Sequence, residues 1–201
     1  MGTVSGGGAL PYNSTCTITA TPTANEYCLL QWSDGNTDNP RTVTVLGDAT
    51  YQAVFGLKPT YSLALQTNNS EWGTVSGSGS YLHGTVVQIT ATANTGYHFT
   101  SWSDGSTQSS RSIQMVKDST IIATFAPNNY TVNVAVNGVC AGMGTVTGGG
   151  VYPYGTNITM SATANYGYHF TQWNDGNTDN PRQVQVTEDK TYTAYFDKNT
   201  Y

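Results

Sequence analysis

The chain has 201 residues, of which 9% are charged and 37% are hydrophobic, and its formal net charge is −5. Seven Lys and Arg residues are too few to form a basic surface that neutralises phosphates, so we predict no nucleic-acid binding. No apolar run approaches the ~18 residues of a membrane-spanning helix, so we also predict no membrane insertion.

The first 57 residues alternate between apolar and polar side chains with a period of two, which is typical of β-strands. The first predicted strand is Gly2–Val4, and the glycines Gly6–Gly8 interrupt the chain after it. A later strand ends at Trp32, where Asp34-Gly35 opens a polar loop with a common turn pair. The other predicted strands present these residues on one face: Cys16, Ile18 and Ala20; Val43 and Val45; Tyr51, Ala53 and Phe55.

The same order of elements occurs three times at a spacing of 70 or 71 residues, which identifies a tandem repeat. The markers that recur are Trp32, Trp102 and Trp173; Arg41, Arg111 and Arg182; and Phe55, Phe125 and Phe196. We predict copy one at residues 1–57, copy two at 60–126 and copy three at 129–197. The predicted fold class is all-β, with three small antiparallel modules of about 70 residues.

Copies two and three begin with an alternating strand, at Tyr61–Gln66 and Tyr130–Val136, that copy one lacks. Residues 198–201 match the start of a further repeat, so we expect the chain to be part of a longer array. Alternatively, the unit starts at the Gly-Thr-Val strand and takes its last strand from the segment after it. The short linkers contain Pro59 and Pro127, which restrict the backbone, so we expect an elongated string of modules.

No set of residues recurs with the spacing of a catalytic or metal site, so we predict no enzymatic activity, no metal and no cofactor. Asp34, Asp104 and Asp175 each precede a glycine and are interpreted as turn residues. A calcium loop that includes Asp38 and Asp179 is disfavoured because Gln108 replaces the carboxylate in copy two. The histidines, which we interpret as solvent-facing strand residues, are His83, His98 and His169.

The three cysteines form no metal pattern and no even disulfide framework. Cys16 and Cys28 would face each other across one hairpin, so a disulfide between them stays open at this point. The other copies carry Val87 and Ile158 at the first position, and they fold without a bridge.

Four residues are candidates for contact with a ligand. Arg41, Arg111 and Arg182 recur beside the Trp-x-Asp-Gly sequence, where each arginine stacks on the indole, pairs with the turn aspartate or faces a ligand. Trp72 occurs in one copy only, whereas the recurring tryptophans are predicted core residues. The partners we consider are neighbouring repeats and an unidentified protein or glycan.

The order of motifs resembles the divergent internalin-type B repeat of bacterial surface proteins. The residues that carry the resemblance are Gly96, Tyr97, Phe99, Trp102, Ala123 and Phe125, with Gly167, Tyr168, Phe170, Trp173, Ala194 and Phe196. Copy one departs from the pattern, with Glu26 in place of the glycine and Leu29 in place of the phenylalanine.

This resemblance implies a non-catalytic module of a large secreted or wall-associated protein, where it acts as a spacer or an adhesive module outside the cell. The family carries no catalytic residues, so none are transferred to this chain. Some relatives have a β-grasp-like fold with a short helix. The alternative function is a carbohydrate-binding module that uses exposed aromatic residues.

Overall fold

The computed structural model describes residues 1–200, and over these residues nearly all regular structure is β-strand. The chain forms two compact units: residues 1–64, 77–88 and 112–120 belong to the first, and the other described residues belong to the second. Copy one therefore lies in the first unit, copy three lies in the second, and copy two contributes to both. None of the described residues forms a helix that is long and apolar enough to cross a membrane.

Copy one has five strands in two small sheets. Their bounds are β1 (Gly2–Ser5), β2 (Thr15–Pro22), β3 (Tyr27–Trp32), β4 (Arg41–Thr44) and β5 (Ala53–Leu57). One sheet has the order β1-β2-β4, and the other contains only β3 and β5. All pairs in copy one are antiparallel.

Copies two and three each have seven strands, again in two sheets. The strands of copy two are β6 (Thr60–Thr67), β7 (Gly73–Ser76), β8 (Gly79–Leu82), β9 (Val86–Ala93), β10 (Tyr97–Trp102), β11 (Ser110–Gln114) and β12 (Ser119–Pro127). Those of copy three are β13 (Asn129–Val136), β14 (Gly144–Thr147), β15 (Gly150–Pro153), β16 (Asn157–Ala164), β17 (Tyr168–Trp173), β18 (Arg182–Gln185) and β19 (Lys190–Lys198). The four-stranded sheets have the orders β10-β12-β6-β8 and β15-β13-β19-β17.

The core of copy three lies between its three-stranded and four-stranded sheets. Alternation along β16 buries Ile158, Met160 and Ala162, as the period of two predicts. Trp173 and Phe196 fill the centre from the other sheet and are at most 2% exposed. The predicted core role of the recurring tryptophans is confirmed in all three copies, where Trp32, Trp102 and Trp173 are 0–1% exposed.

The glycine of the Gly-Thr-Val strand brings the two sheets together. The ring of Phe196 lies directly against Gly144, where an added Cβ would approach the ring to 2.5 Å. Gly73 lies against Phe125 in the same way, at the same distance. A side chain at either position would force the two sheets apart, because a packed core leaves no room for extra atoms.

The all-β class is confirmed, and one strand direction differs from the prediction. The first strand of copy three, β13, pairs in parallel with the last strand, β19, and antiparallel with β15. The prediction of an entirely antiparallel module is therefore wrong for this pair. The rest of copy three separates the two strands along the chain, and a crossover of that length permits parallel pairing. The only helical turn in the described residues is a 3-10 turn at Gly138–Cys140.

The recurring phenylalanines should differ in their contribution to stability. Phe125 is 1% exposed, whereas its counterpart Phe55 is only half-buried. We expect Phe125→Ala to destabilise copy two by about 3–5 kcal/mol, the usual cost of deleting a buried ring. Phe55→Ala should cost copy one less than half of that. Native-state hydrogen exchange measures the free energy of opening of each copy, and equal losses in the two variants would contradict this packing.

Candidate functional site

The polar loop that follows each tryptophan strand is tied to the core by the tryptophan itself. The indole Nε1 of Trp173 donates to the carbonyl oxygen of Asp179 at 2.9 Å, and that of Trp102 donates to Gln108 at 2.8 Å. Copy one repeats this bond between Trp32 and Asp38 at 2.8 Å. A buried indole N–H needs an acceptor, so the loop must fold back over the ring.

The aspartate of the Asp-Gly pair forms the tight turn that starts this loop. The Oδ1 atom of Asp175 accepts from the backbone N–H of Asn177 at 3.2 Å, and Gly176 has φ +81°. Glycine adopts this left-handed conformation without strain. The interpretation of the recurring aspartates as turn residues is confirmed.

An asparagine side chain holds the far end of the loop against the neighbouring strand. Asn180 accepts from the backbone N–H of Ala162 at 2.9 Å and donates to the carbonyl of the same residue at 2.6 Å. Asn39 makes the same two bonds to Ala20 in copy one. The loop therefore extends the hydrogen bonding of the sheet to which it is attached.

The recurring arginines form ion pairs inside this loop. Arg182 binds Asp175 with two bonds, of 2.8 Å and 2.7 Å, in the bidentate geometry that suits a guanidinium and a carboxylate. Arg41 lies 2.7 Å from Asp34, and Arg111 pairs with Asp104. The three arginine side chains are only 13–18% exposed.

Each guanidinium also lies over an aromatic ring. Arg182 is 5.1 Å from the ring centroid of Tyr192, whereas Arg111 is 5.8 Å from that of Trp102. The difference arises because Ile121 takes the place of the tyrosine in copy two. Arg111 also has an Nε atom that is buried without a hydrogen-bond partner among the described residues.

These contacts change the protonation equilibria of the loop. The hydrogen bond from Arg182 holds the pKa of Asp175 below its ordinary value, and Arg111 has the same effect on the pKa of Asp104. In copy one, Arg41 lowers the pKa of Asp34. Conversely, the aspartate partner raises the pKa of Arg41 and of Arg182.

The structure places the predicted ligand residues in two different settings. Arg41, Arg111 and Arg182 lie in the interior of the loop. Each of them forms an ion pair with the turn aspartate of its own copy. Trp72 is half-buried and stacks on Tyr97, with centroids 5.3 Å apart and planes at 16°. Contact of any of these four residues with a ligand stays a prediction.

Trp72 starts a row of aromatic side chains that the sequence analysis missed. Tyr97 packs edge-on against Tyr154 at 5.4 Å, and Tyr154 lies 6.3 Å from Tyr130. All four rings are half-buried, so part of each remains accessible. The tyrosine that recurs as the first residue of the tryptophan strand, at residues 27, 97 and 168, is the one sequence signal that points to this row.

Neither histidines nor carboxylates form a metal site in the structure. Across residues 1–200 there is no group of three His, Cys, Asp or Glu side chains that would hold a metal ion. His98 is exposed on its strand, and its Nδ1 atom lies 2.8 Å from Oδ1 of Asn128. His169 makes the equivalent contact with Asn199 at 3.0 Å. The prediction that these two histidines face solvent is confirmed.

The disulfide left open by the sequence does not form. Cys16 and Cys28 both have free thiols. Cys16 lies on β2, which pairs with β1 and β4, whereas Cys28 lies on β3, which pairs only with β5. The two cysteines therefore belong to different sheets rather than to one hairpin. The third cysteine, Cys140, is buried and donates from Sγ to the carbonyl of Phe196 at 3.3 Å.

A family model described as the divergent InlB B-repeat domain matches residues 1–59, 63–129 and 132–200. The chain belongs to this family of repeat modules, as the motifs indicated. The family is one of bacterial surface proteins.

Among curated proteins, no match was found. A solved structure titled "The Bacillus anthracis TIE protein" is similar over 90% of this chain, with 9% sequence identity and a TM-score of 0.38. The chain spans 41% of the length of that structure.

The ion pair between Asp34 and Arg41 should make the stability of copy one fall as the pH is lowered into the acidic range. The pKa of Asp34 is lower in the folded chain, so the pair stabilises above the unfolded pKa of about 3.9. This stabilisation is lost as the pH falls through the lowered folded pKa. Asp34→Asn should therefore reduce the stability of copy one at pH 6 and flatten its decline below pH 4. Asp48→Asn, which alters an exposed loop carboxylate of the same copy, is the control. Identical pH profiles for Asp34→Asn and the unaltered chain, measured by urea unfolding, would contradict this role.

Proposed function

We propose that this chain is a spacer segment of an extracellular surface protein, in which hydrogen-bonded junctions hold successive repeats in a fixed relation. The observation that supports the proposal most directly is the junction after copy two. The backbone N–H of Asn128 donates to the carbonyl of Gly96 at 2.8 Å, and the carbonyl of Asn128 accepts from Tyr154 at 2.8 Å. The linker residue is thereby bonded to both copies.

The linker before copy two is bonded in the same way. Lys58 donates from its backbone N–H to Glu26 at 2.8 Å, and the carbonyl of Pro59 accepts from His83 at 2.8 Å. The two linkers differ in sequence, but both are held by backbone hydrogen bonds. These bonds do not depend on particular linker side chains. A linker that is bonded on both sides has little freedom to bend, which suits a spacer.

The junction after copy two is also closely packed. A Cβ added to Gly96 would collide with the ring of Tyr154, and the φ of Gly96 is +86°. Its counterpart in copy three, Gly167, has a φ of +85°, but an added Cβ there would meet nothing within 4 Å. Alanine substitutions at the two glycines would therefore cause the same backbone strain, but only the one at Gly96 would also crowd the junction.

This pair supplies the test of the spacer. Small-angle X-ray scattering of the unaltered chain gives the reference distribution of intramolecular distances. Gly96→Ala should broaden the distribution of intramolecular distances, because Tyr154 is displaced from the junction. Gly167→Ala carries the same strain and should leave the distribution unchanged. The same response in both variants would refute the spacer.

A second candidate function is adhesion through carbohydrate binding, and the aromatic row favours it. Sugars bind proteins by stacking on partly exposed aromatic rings, which offer apolar faces with polar edges. Trp72, Tyr97, Tyr154 and Tyr130 form such a series at one place in the fold. In this function the same junction would both fix the repeats and present the rings.

The tryptophan fluorescence of the chain provides a selective test of the carbohydrate hypothesis. Trp72 is the one tryptophan outside the buried cores, so a change in emission on adding wall polysaccharide should come from this residue. We expect Trp72→Ala to weaken binding measurably, because the substitution removes the largest ring of the row. Tyr12→Ala removes an isolated exposed ring and should leave binding unchanged. If the unaltered chain shows no calorimetric binding at millimolar sugar, the carbohydrate function is wrong.

A further inference from the structure

Copy one contains an open groove of about 950 Å³, lined by residues between 7 and 18 and by residues 43–51, which precede strand β5. Its walls include apolar side chains from both sides of the copy. These are Leu10, Cys16, Ile18, Val43, Leu46 and Tyr51. Asp48 is the only charged side chain among the residues that line the groove.

Copy three shows what occupies the equivalent place when the module has all its strands. There the first strand, β13, lies beside β19 and turns Val132 into the core, where it is 2% exposed. Tyr130, Val134 and Val136 alternate with polar residues or alanine and pack against the same core. Copy one has no strand at this position within residues 1–57, and its second sheet stops at β5.

Two segments of copy one lack strand structure where their counterparts have it. Residues 49–52 are irregular, whereas the equivalent residues 190–193 form the start of β19 and pair with β13. Residues 8–11 are also irregular, whereas their equivalents form β15, which pairs with the other edge of β13. The two irregular segments are the ones that would pair with the two sides of a first strand.

The core side chains of copy one that lie in and after the irregular segment 49–52 are partly exposed. Tyr51, Ala53 and Phe55 are half-buried, although their counterparts in copy three are 0–6% exposed. The fully buried cluster of copy one consists only of Ile18, Ala20 and Trp32. Apolar surface is therefore exposed in the groove, and the strand β5 that follows it is paired on one side only, with β3.

We propose that this groove is an acceptor site for an extended strand of a separate peptide with the chemistry of β13. Such a strand has no charge, alternates apolar with polar residues, and runs parallel to β5. By analogy with the register of copy three, its apolar residues lie opposite Ala49, Tyr51 and Ala53. This interaction is independent of the spacer function.

The chemistry of the groove favours a peptide over a small molecule. An unpaired strand edge offers alternating N–H and C=O groups, which an added strand satisfies along its whole length. The apolar walls then select side chains at every second position, as they do for Tyr130, Val132 and Val134 in copy three. Both first strands in this chain, β6 and β13, are uncharged, in keeping with a groove that has little charge of its own.

The first experiment tethers the strand to the groove. Replacing Met1 with residues 129–143 places a copy of β13 before Gly2 through the connection that joins β13 to Gly144. A short tether raises the effective concentration of the strand to about millimolar. The matched control carries Val132→Asp and Val134→Asp within the added segment only. We expect hydrogen exchange at residues 49–57 to slow by at least about tenfold with the native segment, and not with the control.

The second experiment supplies the strand in solution. A peptide of residues 129–136 is added to the unaltered chain, and protection of residues 49–57 is measured as a function of peptide concentration. We expect saturable protection, and none from a peptide with the same two Val→Asp changes. Sedimentation of the chain alone, at the same concentrations, shows whether it associates with itself.

The outcomes of these experiments distinguish three occupants of the groove: a separate peptide, a tethered strand and a second copy of the chain. Protection by the native strand in both formats supports an acceptor site that is open to a separate peptide. Protection by the tethered strand alone rejects a separate peptide as the occupant. Protection that grows with the concentration of the chain alone, together with a dimer, assigns the groove to a second copy and rejects the proposed partner. Unchanged exchange in both formats, or equal protection by the Asp-substituted strands, overturns the site.

Discussion

The pairing of the first strand with the last strand is the contact on which each module depends. In copy three, β13 joins β19 in parallel and delivers Val132 to a core that also contains Trp173 and Phe196. The same strand provides the edge on which β15 forms, so one contact supports both a second strand and the closure of the core. Copy one has the same tryptophan and phenylalanine positions but not this strand, and its fully buried cluster is much smaller. A module of this size has little stability to spare, so the loss of one strand is felt throughout it.

The recurring polar residues also help to cover the core, because they hold the loop that follows each tryptophan strand. The indole N–H of each tryptophan holds the loop, and the loop in turn positions an arginine over an aromatic ring. Arg182 and its counterparts are thereby committed to Asp175 and the equivalent aspartates. In a chain with so few charges, these ion pairs fix a local structure. The features that differ between copies, such as the rings at the junction after copy two, are therefore the stronger indicators of function.

Much of this architecture could be predicted from the sequence, because the period of two and the turn pairs act locally. The burial of Ile158, Met160 and Ala162 and the Asp-Gly turns are of this kind. The parallel direction of β13 was not predictable, since alternation is the same whichever way the neighbouring strand runs. The aromatic row was missed for a different reason. Trp72 and Tyr154 are far apart in the chain, and only the pairing of the strands brings them to one place.

Native-state hydrogen exchange on the unaltered chain tests whether the first strand closes the modules that contain it. Phe55, Phe125 and Phe196 occupy one position in the three copies, and their backbone amides report the opening of the last strand. Phe125 and Phe196 donate to Asn68 and Cys140, which follow the first strands of their copies. We expect much slower exchange at Phe125 and Phe196 than at Phe55. Equal exchange at all three amides would show that the first strand adds nothing to the closure of the module.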